Sequence, residues 1–296
     1  MRTVCGPDEG PLEPEIPEGG VVTYSDAFFA KGLVRGAARY APADLGRQLD
    51  ALARVIAAIK DGRFQMAEKV PLSRATTEAE PDDFGPRMIL LGAAGMLRRL
   101  GQEPAAAYAD RFVSHVPSRY LDPTTNLLRD VPGGDACNVG HGIEFVGFAL
   151  DHLGPEGDPG TIRTLERVLV ASFERGLDGP GIRLSVSAAT GRPLSPFCPW
   201  WPLPETVRSA ALAHAETGSA DTLRIWRTAD ARFHDGYWRD KPPIAYQCLT
   251  DDGPVDYVPA TPDLDPGYHT GLSLLAAAGV AQEMTGGTAQ HENRTH

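Results

Sequence analysis

The sequence predicts an all-α fold in which nearly apolar helices alternate with amphipathic ones. Hydrophobic residues recur at a helical period along most of the chain. In addition, junctions where a Gly/Pro-rich loop meets an apolar helical run recur roughly every 60 residues, near Tyr24, Pro86, His141, Trp201 and His269. Such a repeated two-helix unit favours an inner ring of buried helices wrapped by an outer ring, although an open α-solenoid would have the same repeat.

The individual helices follow from the hydrophobic pattern. We predict about nine, over residues 25–39, 42–60, 82–101, 103–116, 141–153, 159–176, 203–217, 219–235 and 268–284. Some runs, such as 89–97 and 145–150, are apolar nearly all round and therefore require burial on every side. The long loops between helix pairs carry turn residues and short alternating stretches, and residues 182–187 predict a small β-hairpin.

Composition and charge limit the classes of partner. The chain has 296 residues and a net charge of −11, which disfavours nucleic acid or an anionic membrane as a partner because both require a basic face. The N-terminus shows no signal peptide, and no run approaches the length of a membrane span. We therefore expect a cytoplasmic protein, with one domain over 1–284 and a flexible polar tail over 285–296, and leave a homo-oligomer open.

The cysteines are widely scattered, which argues against a structural metal or a disulfide framework. Cys5, Cys137, Cys198 and Cys248 form no CxxC pair, so four reduced thiols is the simplest interpretation. No metal-ligand spacing or Gly-rich nucleotide motif is present in the sequence either. We therefore expect neither a metal nor a cofactor.

Two of the loop–helix junctions bring polar residues with acid–base chemistry. His141 opens a buried helix, and Glu144 lies three residues later on the same face. An imidazole titrates near neutral pH and can move a carbon-bound proton, while the carboxylate could orient the ring or bind a sugar hydroxyl. The alternative is a helix-entry histidine satisfied by a carbonyl, with Glu144 favoured by the helix dipole. His269 occupies the matching position at the last junction.

A third junction carries aromatic residues and a carboxylate. Trp200 and Trp201 precede Glu205, and two prolines stiffen the segment between them. An indole face can stack on the C–H side of a sugar ring, whereas an isolated motif of this kind is more often core filler beside a capping carboxylate. Tyr24, at the first junction, is a candidate for the edge of the same pocket or for a turn-and-cap role.

Taken together, these motifs resemble the N-acylglucosamine 2-epimerase family of sugar epimerases and isomerases. The resemblance is carried, in order, by residues 24–30, Gly140–Glu144, Trp200–Glu205 and Tyr268–His269, and runs from about residue 10 to 284. It implies an (α/α)6-barrel-like toroid, here incomplete because the segment that corresponds to the family's first three helices is absent. It also implies that His141 and His269 are the catalytic histidines and that Glu144, Glu205, Trp200, Trp201 and Tyr24 contact the substrate.

The chain departs from the family pattern at two junctions. After His269, the family's Pro and Arg are replaced by Gly271 and Leu272. At the Pro86 junction, a histidine and a carboxylate found in relatives are replaced by Ile89 and Gly92. Substrate contacts must therefore differ from those of the relatives.

Three functions follow as hypotheses. The first is a carbohydrate isomerase or epimerase that acts at C2 of a small-molecule aldose through a cis-enediolate, with two histidines as general acid and base and no cofactor. The second is an (α/α)6 glycoside hydrolase that uses Glu144 and Glu205 as its paired carboxylates. The third is a non-catalytic sugar-binding protein that descends from the enzyme.

Overall fold

The computed structural model describes residues 20–65, 82–255 and 268–286, and within them the chain is mostly helical, as predicted. Cys5 and the tail beyond residue 286 lie outside the described residues. The chain divides into two compact units, Met1–Ala109 and Asp110–His296, and each is described by itself below. The single domain over 1–284 stays a prediction. No helix in the described part of the chain is long and apolar enough to cross a membrane.

The first unit is built from three main helices that bury small and branched apolar residues between them. Its helices are α1 (Tyr24–Tyr40), α2 (Leu45–Lys60), α3 (Gly85–Arg99) and the single turn α4 (Glu103–Ala106). Ala30 and Val34 of α1 and Leu52 and Val55 of α2 are almost completely buried. These helices pack against each other and against α3, which is apolar nearly all round, as its sequence predicts.

The start of α1 is closed by a side-chain cap. The Asp26 carboxylate accepts a hydrogen bond from the backbone N–H of Thr23 at 2.9 Å and another from its hydroxyl at 3.1 Å. The first of these hydrogen bonds satisfies a backbone N–H that the helix itself leaves unpaired. Asp26 therefore caps the start of α1.

In the second unit, two helices buried along most of their length are covered by amphipathic ones. Its helices are α5 (Tyr108–Tyr120, whose first two residues belong to the first unit), α6 (Val139–Leu153), α7 (Pro159–Gly176), α8 (Pro202–Thr217), α9 (Ala220–Arg232) and α10 (Ser273–Met284). α6 packs against α7 and α8, and α8 also packs against α9 and α10. The alternation of buried and amphipathic helices is thus present here.

Short antiparallel strand pairs stabilise the loops before α6, before α8 and after α9. β1 (Ala136–Cys137) pairs with β4 (Val186–Ser187), β2 (Leu177–Asp178) with β3 (Gly181–Ile182), and β6 (Cys248–Thr250) with both β5 (Cys198–Pro199) and β7 (Gly253–Pro254). Residues 182–187, predicted as one hairpin, are divided between two of these sheets. Cys137, Cys198 and Cys248 are buried free thiols.

Several helix bounds differ from the prediction. Residues 103–116, predicted as one helix, are divided between α4 and α5, and α5 continues to Tyr120. The run 219–235 is α-helical to Arg232 and continues as a π-helical turn over Phe233–Tyr237. The last predicted helix starts with a π-helical turn, Tyr268–Leu272, before α10. α10 is also less buried than its apolar sequence indicates, because Leu275 is half exposed.

Candidate active site

His141 lies in the first turn of α6, where the local sequence holds the helix start in place. The side chain of Asn138, the N-cap residue, accepts a hydrogen bond from the His141 backbone N–H at 3.1 Å. The backbone N–H of Asn138 in turn donates to the Asp130 carboxylate at 2.6 Å. The imidazole is partly exposed. Burial nevertheless lowers the pKa of His141 to about 4, and positive charge on His269 lowers it in addition.

His269 lies on the π-helical turn before α10, and its imidazole binds a buried carboxylate. Nδ1 of His269 is 2.9 Å from Oε1 of Glu205 on α8. The Glu205 side chain is fully buried, and His269 is only 8% exposed. A carboxylate on one ring nitrogen orients an imidazole and stabilises positive charge on it. A buried carboxylate therefore holds His269 in place.

The indole of Trp201 brings the two histidines together. Its ring centroid is 5.6 Å from that of His141 and 5.4 Å from that of His269, with the planes tilted by 37° and 35°. Gly140 makes this approach feasible, because a Cβ atom at that position would lie 2.9 Å from Cζ3 of Trp201. Two imidazoles from separate helices therefore contact one partly exposed aromatic ring.

Trp200 has a different position from its neighbour. Its side chain is 2% exposed, and its indole N–H donates to Oε1 of Gln247 at 3.0 Å. The ring meets His269 edge-on, with centroids 5.4 Å apart. Trp200 therefore supports His269 from the protein side, and of the two indoles Trp201 is the one with accessible surface.

The buried charges next to the histidines come from α6 and α8. Glu144 is 2% exposed, and one ligand atom each of Glu144, Glu205 and His269 lie within 4.8 Å of one another. Arg208, three residues after Glu205, forms an ion pair with Oε2 of Glu205. Burial disfavours the charged guanidinium, but Glu205 and the neighbouring acidic groups outweigh this effect and raise the pKa of Arg208.

The three clustered groups have the residue types of a metal site, but Glu205 already has a protein cation, Arg208, as its partner. One oxygen of Glu205 binds the imidazole of His269 and the other binds Arg208. A cation at that place would compete with the guanidinium for the same carboxylate. Among the described residues, Glu205 therefore joins His269 and Arg208 in one ion-pair network.

Tyr24 belongs to the first unit. It is buried, and its ring packs edge-on against Phe64 with centroids 4.8 Å apart. Its predicted contact with substrate stays a prediction. The side chain of a further histidine, His152, is buried, and its Nε2 lies 2.7 Å from the Asp110 carboxylate.

Sequence reasoning missed two residues that shape this site. Arg208 is an isolated charge within an otherwise small and apolar stretch of α8, at i+3 from Glu205, and that spacing is the signal that could have identified it. Gln247, which holds Trp200, lies in a loop with no pattern that points to the site. Its role depends on the pairing of β5 with β6.

The comparisons with known proteins support the fold. No protein-family model matches the chain, and no curated protein matches it in sequence. Among solved structures, it resembles a sugar epimerase from a ruminal bacterium with a TM-score of 0.66 and 17% identity, over 88% of this chain and 71% of that one. A cellobiose 2-epimerase from Bacillus thermoamylovorans B4167 has the same TM-score and coverage at 13% identity.

A hydrolase is also similar in fold. An unsaturated glucuronyl hydrolase from Bacillus sp. GL1 matches with a TM-score of 0.57 and 12% identity, over 91% of this chain and 69% of that one. At these identities the likeness shows the fold alone. This likeness confirms the predicted fold class, a mostly helical chain similar in fold to the (α/α)6 toroids. The function has to be inferred from the residues of the site.

Proposed function

We propose that this protein is a carbohydrate isomerase or epimerase of the N-acylglucosamine 2-epimerase family, and that it acts at C2 of an aldose. The observation that carries the proposal is the pair of imidazoles, His141 and His269, from two helices in contact with the one indole of Trp201. Proton transfer to and from carbon needs bases held within reach of one substrate atom.

The chemistry requires only proton movements. The aldose opens to its aldehyde, and the carbonyl makes the C2–H bond acidic. One imidazole takes the C2 proton, and the electron pair of that bond moves into a C1–C2 double bond to give a cis-enediolate. Return of a proton to the opposite face of C2 yields the 2-epimer. Proton return to C1, with a proton transferred between O1 and O2, yields the ketose.

The environments of the two imidazoles support different starting roles. His141, with its pKa lowered to about 4, is neutral near pH 7 and ready to accept a proton. Nδ1 of His269 is hydrogen-bonded to the Glu205 carboxylate. This carboxylate stabilises positive charge on the imidazole. A neutral base beside a second base that can hold a proton is the arrangement that C2 inversion requires.

Sugar binding is supported by Trp201 and Glu144. The partly exposed indole provides a flat apolar surface for the C–H face of a sugar. The Glu144 carboxylate lies beside His269 and Glu205 and is an acceptor suited to a sugar hydroxyl.

The hydrolase alternative is less well supported by the same geometry. A glycosidase needs one carboxyl group on each side of the scissile bond, free to act as an acid and as a nucleophile or base. Glu205 is fully buried, and its two oxygens are engaged by His269 and Arg208. It is therefore suited to holding a histidine rather than to attacking a sugar or protonating a leaving group.

Solvent exchange at C2 tests the proposal. A panel of free and β-linked aldoses is incubated with the folded protein in D2O, and deuterium at C2 and new epimer or ketose are followed by NMR. We expect C2 deuteration of at least one sugar, lost in His141→Ala. Release of a free sugar from a glycoside without C2 deuteration would favour the hydrolase, and no reaction with any sugar would favour a non-catalytic binding protein.

A further inference from the structure

Arg208 is a buried cation that neither the motifs nor the proposed proton transfers account for. It lies on α8 three residues after Glu205, so that both side chains leave the same face of the helix. Its side chain is 9% exposed and forms an ion pair with Oε2 of Glu205. Its guanidinium also lies over the ring of Phe148, 4.3 Å from the centroid.

The neighbouring helix α6 leaves space for this guanidinium. A Cβ atom at Gly147 would lie 3.0 Å from Nε and 3.2 Å from Nη2 of Arg208. The next residue on α8, Ser209, donates a hydrogen bond to the backbone carbonyl of Ile143 at 2.8 Å. The contact between α6 and α8 therefore fixes the guanidinium in one place, and a stacked, forked cation is a role that Arg fills better than Lys.

The two oxygens of Glu205 have different partners, and this difference determines the state of His269. Oε2 is paired with Arg208, and Oε1 is 2.9 Å from Nδ1 of His269. An ionised carboxylate only accepts hydrogen bonds. When Glu205 is ionised, Nδ1 must therefore carry the hydrogen and donate it, and Nε2 keeps the lone pair that a general base needs.

We propose that Arg208 is a positioning residue, which through its ion pair holds the Glu205 carboxylate as an acceptor beside Nδ1 and thereby keeps His269 in the tautomer with hydrogen on Nδ1 and the lone pair on Nε2. The consequence for catalysis rests on the proposed function. The effect on the tautomer does not, because it depends only on contacts within the protein.

The charges around His269 explain why a cation is needed there. From α8 the imidazole faces Glu205 and Arg208, from α6 it faces Glu144 and His141, and Tyr268 precedes it on its own turn. Without Arg208, the buried carboxylates of Glu144 and Glu205 would lie close together with no guanidinium beside them. Like charges at that range favour protonation of one carboxyl group. A protonated Glu205 could donate to Nδ1 and move the imidazole hydrogen to Nε2.

The test reads the tautomer directly. Nitrogen-15 NMR of the full chain with labelled histidine distinguishes Nδ1–H from Nε2–H imidazole, and His269→Gln assigns the signals. At a pH where the His269 imidazole is neutral, we expect the Nδ1–H tautomer in the wild type. In Arg208→Gln, which keeps an N–H donor but removes the charge, we expect a mixture or the Nε2–H form. Arg208→Lys should restore most of the wild-type signal, and Arg208→Met gives a second neutral variant.

Activity provides the second readout. C2 exchange should fall roughly 10- to 100-fold in Arg208→Gln, mainly in kcat, with a changed pH profile and partial recovery in Arg208→Lys. Arg224→Met, which removes an exposed arginine paired with Glu174, is the matched control and should change neither readout.

The proposal is overturned by an Nε2–H tautomer in the wild type, or by an unchanged Nδ1–H tautomer in a folded neutral variant. An Nε2–H tautomer in the wild type overturns the proposal even where no neutral variant folds. If no aldose exchanges but the tautomer responds to the loss of Arg208, the proposed function fails while the role of Arg208 stands.

Discussion

The entry to α6 and the entry to α10 each present a histidine at a loop–helix junction, yet the structure gives the two histidines different environments. His141 lies in a regular first turn capped by Asn138, is partly exposed, and has a pKa lowered to about 4 by burial and by His269. His269 lies on a π-helical turn, is buried, and binds Glu205. The two histidines occupy matching loop–helix junctions, but their tertiary neighbours give them different electrostatic environments.

The difference originates in α8, which lies between the two junctions and contacts both α6 and α10. Trp201, at its start, contacts both imidazoles, whereas Glu205, one turn later, binds His269. Substitutions at each junction and on α8 test this asymmetry.

Removal of either imidazole should have the largest effect. His141→Ala and His269→Ala should each lower the rate of C2 exchange about 10²- to 10⁴-fold, because each removes a group that moves a proton in the proposed reaction. The rate is measured by NMR in D2O with a sugar that the wild type deuterates. His234→Ala, at an exposed position of the second unit, is the control and should leave the rate unchanged. A histidine variant that stays within tenfold of wild type would contradict the two-base mechanism.

Loss of the Glu205 carboxylate, which binds the histidine of the α10 junction, should destabilise the fold. Glu205→Gln leaves the buried Arg208 without its charge partner, which costs about 3–5 kcal/mol of the free energy of unfolding. Urea denaturation followed by circular dichroism measures the change. Glu174→Gln removes the exposed partner of Arg224 and should stay within about 0.5 kcal/mol of wild type. Equal effects of the two substitutions would show that the buried ion pair contributes no more to the free energy of unfolding than the exposed one.

The α6 junction should make stability depend on pH. His141 has an ordinary pKa of about 6.5 in the unfolded chain and about 4 in the folded one. Between these values the unfolded state binds more protons, so the free energy of unfolding falls as the pH is lowered from 6.5 to 4, by at most about 3 kcal/mol. Above pH 6.5 this contribution is absent.

Comparison of wild type with His141→Gln isolates that contribution. Urea midpoints measured from pH 8 to 4 should converge or cross as the pH falls, because the variant lacks the titrating group. Parallel curves over the whole range would mean that His141 keeps an ordinary pKa in the folded protein.

Two glycines should respond oppositely to the same substitution. Gly140→Ala places a Cβ against the indole of Trp201 and should cost about 1–3 kcal/mol through displacement of that ring. The added Cβ of Gly279→Ala in α10 meets no atom of the described residues within 4 Å, and the substitution should be neutral or stabilising by up to about 1 kcal/mol, because Ala has the higher helix propensity. Thermal melts of both variants against wild type measure the two signs.

The helices were predictable because their signal is local. Pro159–Gly176 agrees with its prediction at both ends, since Asp158 caps the start and the hydrophobic residues keep a 3.6 period throughout. The π-helical turns at Phe233 and Tyr268 were not predictable, because nothing in those residues distinguishes a π turn from an α turn. The strand pairing of residues 182–187 was also predicted incompletely, since their partners come from Ala136–Cys137 and Leu177–Asp178.

The order of residues alone specifies an all-α chain of alternating buried and amphipathic helices, with polar residues at the junctions, because periodicity and capping act within a few residues. That His141 and His269 contact the same indole, that Glu205 divides its oxygens between a histidine and an arginine, and that Trp200 faces inward were decided only by packing. The contacts of Trp201 with both imidazoles and of Glu205 with His269 join residues about 60 or more positions apart in the chain, and only the close approach of α6, α8 and α10 brings them together.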